Sequence, residues 1–218
     1  FAALFALVFQ FVALYVVLAS ARYIEKDRHQ AEYFSLIMLA TSGMIVVAMA
    51  VDLISLFVGL ETASLSSYAL VAFRKRDKRG AEAAVKYLVI GGMSSALSLY
   101  GISLLYGITG TTNLEGINSG LAAMSSGLNP AAWLAIAMLL AGFGFKVAIV
   151  PFHQWAPDVY EGAPTPISGL LAAGSKKMGM VLLFKVFLVA LIALKADWQI
   201  LAAILAILTM TIGNVVAL

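Results

Sequence analysis

Glu61, Lys146 and Lys176 each fall near the middle of a long apolar segment, where an ionisable side chain is costly. A charge at the centre of a bilayer costs about 3 kcal/mol on insertion scales and more in simulations, so such residues usually face a protein interior or a water-filled path. One carboxylate and two amines placed this way have the chemistry of a proton or ion path. The expected function is therefore movement of protons or ions.

These residues lie on helices. The third apolar stretch reads DLISLFVGLETASLSSYALVAF, in which Ser64 and Tyr68 follow Glu61 by three and seven residues and share its helical face. The fourth carries Lys86 near its start, where the amine either serves the path or snorkels to the headgroups. Its small residues Gly91, Gly92, Ser94, Ser95 and Ser98 suit close helix packing. In the fifth, Pro151 follows Lys146 by five residues and forbids a continuous helix. Interrupted backbone at membrane depth survives only inside protein or beside water, and the free carbonyls at a half-helix end favour a cation. His153 lies just past that break.

The sixth stretch begins near Pro166, which suits a first helical turn. Ten residues on, Lys176 stands about 15 Å along the helix, or half a bilayer. Gly169, Ala172, Ala173 and Gly179 form a small-residue stripe on its face, expected to pack against neighbouring helices. Lys177 is turned 100 degrees away, which favours Lys176 as the buried amine; Lys185 reads as a snorkelling anchor near the outer end.

The composition fixes the solvent. Hydrophobic residues are 62% of 218, charged residues 11%, and the mean hydropathy is +0.99, which excludes an ordinary soluble domain. An all-α polytopic membrane protein is expected, forming a single transmembrane domain over residues 1–218, with seven spans at about 2–20, 33–51, 53–72, 83–107, 131–150, 166–193 and 198–218. The chain opens at Phe1 and closes at Leu218 inside apolar runs, and it is read as a piece of a longer protein. With no cysteine and two histidines, neither an iron-sulfur cluster nor a c-type haem is expected, nor any metal site or cofactor in this chain.

The net charge of +3 does not point to nucleic acid, because the positive residues sit in loops between spans. Loops 21–32 and 73–82 are basic and both follow odd-numbered spans, so the positive-inside rule makes them cytoplasmic. The stretch from about 108 to 130 has no Lys or Arg and should face outward.

Together, GLETASLSSYALVAF, EAAVKYLVIGG, GFKVAIVPFHQWAPDVYEGAPTPISGLLAAGSKK and GNVVAL resemble the antiporter-like membrane subunits of the respiratory complex I family, closest to its subunit N, the counterpart of mitochondrial subunit 2. The PFHQWAPDVYEGAPTP stretch is the most specific part. The resemblance implies an antiporter-like fold of inverted five-helix repeats with a discontinuous helix, entered here at the family's third helix and left at its ninth. It implies a proton relay of Glu61, Lys86, Lys146, His153 and Lys176, with Glu61 as modulator, Lys146 as central carrier and Lys176 as the next station. The doubled lysine of GSKK departs from the family pattern.

Burial disfavours a lysine's charge and a nearby carboxylate favours it, so movement of an ion pair is the expected drive for one proton. The resemblance further implies a multi-pass subunit of a proton-translocating oxidoreductase in the plasma membrane of a bacterium or archaeon, with other membrane subunits and the lipid bilayer as partners. Flavin, iron-sulfur clusters and a quinone or methanophenazine would belong to partner subunits, the donor being NADH, a reduced deazaflavin or ferredoxin. The alternatives are an Mrp-type cation/proton antiporter subunit and a purely structural membrane spacer.

Overall fold

The computed structural model describes residues 1–74, 76–124 and 129–216, so Lys75 of the second basic loop, residues 125–128 of the outer loop and the last two residues of the final span lie outside the described residues. Among the described residues the regular structure is helical. Six helices are long and apolar enough to cross a membrane: α1 (Ala2–Tyr23), α2 (Gln30–Met49), α3 (Leu53–Val71), α4 (Lys78–Thr109), α6 (Pro130–Val147) and a final one over Ile192–Val216. The last consists of a short 3₁₀ turn, Ile192–Leu194, followed by α10 (Lys195–Val216).

The sixth expected span, 166–193, is helical but not uniform. It runs through α8 (Thr165–Leu170), a π-helical turn at Leu171–Ser175, α9 (Lys176–Lys185) and a second π turn at Val186–Ala190. Each π turn changes the phase of the side chains beyond it, so a face counted at 100 degrees per residue does not carry through. Of the expected small-residue stripe, Gly169, Ala172 and Ala173 precede or lie within the first π turn and are exposed, facing a groove beside α1; Gly179, beyond it, is buried. The expectation of a packed stripe is thus met only at Gly179, where an added Cβ would come 3.2 Å from the backbone of Lys146.

Two elements were not expected. The loop of about 108–130 contains α5 (Leu114–Ala123), which buries Leu114, Ile117 and Leu121 and starts at Asn113, whose side chain accepts from the Gly116 amide. A second short helix, α7 (Trp155–Gly162), follows the break in α6.

The links between helices separate into two groups. Arg74 after α3 lies 3.6 Å from Asp27 after α1 and stacks on Tyr23, so the two basic loops share one end of the bundle. At the opposite end, Leu53 donates to Thr112 at 2.9 Å and Leu114 to Val51 at 3.1 Å, tying the α2–α3 link to the α4–α5 link. Asp52 caps α3 there, accepting from the Ser55 amide at 2.9 Å and its hydroxyl at 2.6 Å, which holds its carboxyl below the ordinary carboxylate range.

Close helix contacts are made by small residues, the expected device where no hydrophobic force separates helix from lipid. A Cβ on Gly43 of α2 would lie 2.5 Å from the Ala63 amide nitrogen and 2.7 Å from the Gly59 carbonyl of α3. Replacing Gly43 by Leu is expected to drive α2 and α3 apart and cost about 3 kcal/mol or more, at the upper end of overpacking effects. Thermal unfolding of the purified complex measures it, and an unchanged midpoint would contradict this packing. Among the expected small residues of α4, Ser94 donates to the Gly142 carbonyl of α6 and Gly91 takes the Tyr68 ring, whereas a Cβ added on Gly92 would meet nothing within 4 Å among the described residues.

Candidate functional site

Lys146 stands in the last turn of α6, and the local sequence explains why the helix stops there. Pro151 has no N–H to give and Ala148 adopts φ 64, so the chain leaves the helix at once. The carbonyls released by the break are partly claimed: Gly144 accepts from Ile149 at 2.9 Å, and Phe145 from Ala148 and from the Trp155 indole, each at 3.0 Å. The break occurs where the sequence put it, but its carbonyls serve the turn and Trp155 as well as any cation. On the other side of the turn, the Val150 amide donates to Thr209 of α10 at 3.1 Å.

The Lys146 side chain is 1% exposed and points away from lipid into the space between α3 and α4. Its ammonium donates to the Ser64 hydroxyl at 2.9 Å and to the Tyr87 hydroxyl at 3.2 Å. Both partners are neutral, and among the described residues no carboxylate lies within 4.0 Å of it. A buried amine held only by neutral hydroxyls is not locked into one charge state as a tight ion pair would lock it.

Glu61, on α3, is half-buried and accepts a short hydrogen bond from the Ser95 hydroxyl of α4. Ser64 and Tyr68, expected on the same face, are buried with it. Glu61 and Lys146 are therefore not in direct contact: one is held by Ser95 and the other by Ser64 and Tyr87.

Lys86 proves to be in the third turn of α4, since that helix starts at Lys78 rather than near residue 83. Its side chain is 42% exposed and pairs with Asp158 of α7 at 2.7 Å and Glu82 at 2.8 Å. Beside it Arg79 meets Glu161 at 3.4 Å. Asp158 and Glu82 were not singled out from the sequence, although an acidic residue four positions before a lysine on a helix is a readable pairing signal.

Lys176 is half-buried, with its ammonium 5.1 Å from the centre of the Tyr160 ring, while Lys177 is exposed. His153 occupies the turn between α6 and α7, where its Nδ1 is buried without a hydrogen-bond partner among the described residues. Tyr87 links these elements: its ring stacks on Trp155 at 4.6 Å and 11°, and Trp155 in turn contacts Phe145 and Tyr160. Sequence reading passed over Tyr87 because it sits next to Lys86 in an apolar run and reads there as core.

Lys185 requires a correction. It is not a snorkelling anchor but 9% exposed, and its ammonium donates to the Ala50 carbonyl at 2.6 Å. Ala50 ends α2, whose own last turn has no basic residue, so α9 supplies the cation that favours a helix C-terminus. Replacing Lys185 by Met leaves that carbonyl unpaired, and a stability loss of about 1–2 kcal/mol is expected without loss of proton transfer. Thermal unfolding and proton uptake on the same preparation check it; full stability would contradict the clip.

The geometry invites comparison with known proteins. Residues 50–218 match the family model described as NADH:quinone oxidoreductase/Mrp antiporter, TM. The chain is 53% identical over 216 residues to the F(420)H(2) dehydrogenase subunit N of Methanosarcina mazei, covering 98% of this chain and 43% of that protein. It is 46% identical over 213 residues to the NADH-quinone oxidoreductase subunit N of Heliobacterium modesticaldum, covering 97% and 44%. It thus spans less than half the length of these relatives.

Among solved structures, it is similar to a chain of respiratory complex I from Thermus thermophilus, with a TM-score of 0.69 and 36% identity over 83% of this chain and 39% of that one. A chain of the Mrp complex from Dietzia sp. DQ12-45-1b gives a TM-score of 0.69 at 23% identity, covering 85% and 35%, a likeness of fold. The all-helical, multi-pass architecture with its discontinuous α6 is that antiporter-like fold. The chain belongs to the NADH:quinone oxidoreductase/Mrp antiporter family of transmembrane proteins.

Proposed function

We propose that this chain is part of a proton-translocating, antiporter-like subunit of a redox-driven oxidoreductase, resident in the plasma membrane of a bacterium or archaeon. The observation that carries the reading is Lys146: an amine buried at a helix break, held by two neutral hydroxyls rather than by a counter-ion. In this scheme Lys146 takes up and releases the proton and Glu61 biases it electrostatically. Lys176 receives the proton. Lys86, paired with Asp158 and Glu82 toward the basic end, serves at the approach, and His153 is an accessory group at the break.

Loops 21–32 and 73–82 face the cytoplasm, and residues 1–218 act as one transmembrane domain. Electrons pass through partner subunits carrying flavin, iron-sulfur clusters and a quinone or methanophenazine site. The high identity to two subunits N, one of an F(420)H(2) dehydrogenase and one of an NADH-quinone oxidoreductase, supports this reading over the others.

The Mrp-type antiporter remains the second reading, because the matching family model spans both kinds of protein. The deciding experiment uses inverted vesicles containing the whole complex, assayed without sodium and again after sodium is added. Proton uptake that requires an electron donor is the expected result. Exchange of sodium for protons without a donor would favour the antiporter.

A further inference from the structure

A proton leaving Lys146 for Lys176 needs intermediate oxygen or nitrogen atoms, and the structure places a set of them on one side of Lys146. The Tyr87 hydroxyl is 3.2 Å from the Lys146 ammonium. Ser175, in the π turn immediately before Lys176, lies beside the Tyr87 hydroxyl without meeting hydrogen-bond geometry. Tyr160 carries the Lys176 ammonium on its ring at 5.1 Å and joins the Tyr87 stack through Trp155.

The hydroxyls of Ser175 and Tyr160 are both buried and lack a hydrogen-bond partner among the described residues. Buried polar atoms almost always have one, in protein or in ordered water. Two orphaned hydroxyls, one beside Tyr87 and one on the ring that carries the Lys176 ammonium, mark a place for water.

We propose that the Tyr87 hydroxyl, with water held by Ser175 and Tyr160, carries the proton from Lys146 to Lys176. This inference rests on the proton path proposed above. In the step, an N–H bond of the Lys146 ammonium breaks as a new O–H bond forms on Tyr87. The original Tyr87 proton passes to the water, and that water releases a proton to the neutral Lys176 amine. Tyr87 ends neutral, Lys146 ends as the amine and Lys176 as the ammonium, so atoms and charge balance. Rotation of the Tyr87 hydroxyl resets the relay. Stacking on Trp155 holds the ring while leaving that rotation free.

The test compares Tyr87→Phe with Lys146→Met and with Tyr33→Phe in vesicles containing the whole complex. Tyr33 is a control for the loss of a buried tyrosine hydroxyl elsewhere, its own oxygen lying 3.2 Å from Ser20. Tyr87→Phe is expected to slow donor-driven proton uptake about tenfold, less than removal of a proton-transfer group usually costs because water substitutes in part. It should also enlarge the slowing in heavy water, which a purely structural defect would not do, while Tyr33→Phe behaves as wild type.

If Tyr87→Phe pumps normally while Lys146→Met does not, the relay through Tyr87 is overturned and the path through Lys146 stands. If both pump normally, both ideas are overturned. An equal loss in Tyr33→Phe, or a slowing in Tyr87→Phe with an unchanged isotope effect, also overturns the relay. Should Tyr87→Phe fail to assemble, the Ser175→Ala, Tyr160→Phe double variant carries the same expectation, and normal uptake in it overturns the relay.

Discussion

Lys146→Met and Lys146→Arg are both expected to abolish proton transfer through this subunit, by about 100-fold or more, for opposite electrical reasons. Methionine has no proton to carry. Arginine keeps one permanently, since its guanidinium does not deprotonate in proteins. The size of the loss follows from removing a positioned proton-transfer group.

Stability is expected to move differently from function. Burying an ammonium costs several kcal/mol even after relaxation, whereas leaving the Tyr87 hydroxyl without its partner costs about 1–3 kcal/mol. Ser64 is unaffected, because its hydroxyl still donates to the Leu60 carbonyl at 2.7 Å. Lys146→Met should therefore assemble and melt at or above the wild-type temperature while failing to pump. Parallel assays of uptake and thermal unfolding check the pair. Normal pumping by Lys146→Arg would make Lys146 a fixed charge rather than a carrier.

Glu61→Gln is expected to give the second large effect, a slowing of about tenfold with normal assembly. The amide oxygen of glutamine still accepts from the Ser95 hydroxyl, so packing between α3 and α4 is kept. What is lost is charge. Unit charges about 8 Å apart interact by roughly 2 kcal/mol at an effective dielectric near 20. A term of that size changes a protonation equilibrium by roughly 30-fold. It is also close to the 2.3 kcal/mol needed to move one charge against 100 mV. Proton uptake by Glu61→Gln at wild-type rate would remove Glu61 from the mechanism.

Much of this arrangement is legible in the sequence because the bilayer imposes strong rules. Long apolar runs become helices, Pro151 ends one of them, and the spacing of Glu61, Ser64 and Tyr68 sets a shared face. The two basic loops also meet at one end, through Arg74 and Asp27.

The less legible features have local causes. Helix α5 escaped notice because only Leu114, Ile117 and Leu121 mark its buried face among small and polar neighbours. Lys185 was misplaced because two π turns interrupt the helix, and one of them shifts the phase before α9 begins. Tyr87 carries no charge and so gave no signal in a reading built on intramembrane charges; its significance appears only once α6 breaks and brings Lys146 against α4. The exposure of Lys86 followed from an earlier helix start, set by the Asp77 cap that accepts from the Arg79 amide.

The most direct measurement of the central claim is the number of protons taken up per electron pair in vesicles containing the whole complex, wild type beside Lys146→Met, with the variant subunit verified in the complex. The expected result is a fall in both protons per electron pair and coupled turnover. Unchanged values for both would show that the proton does not travel through Lys146.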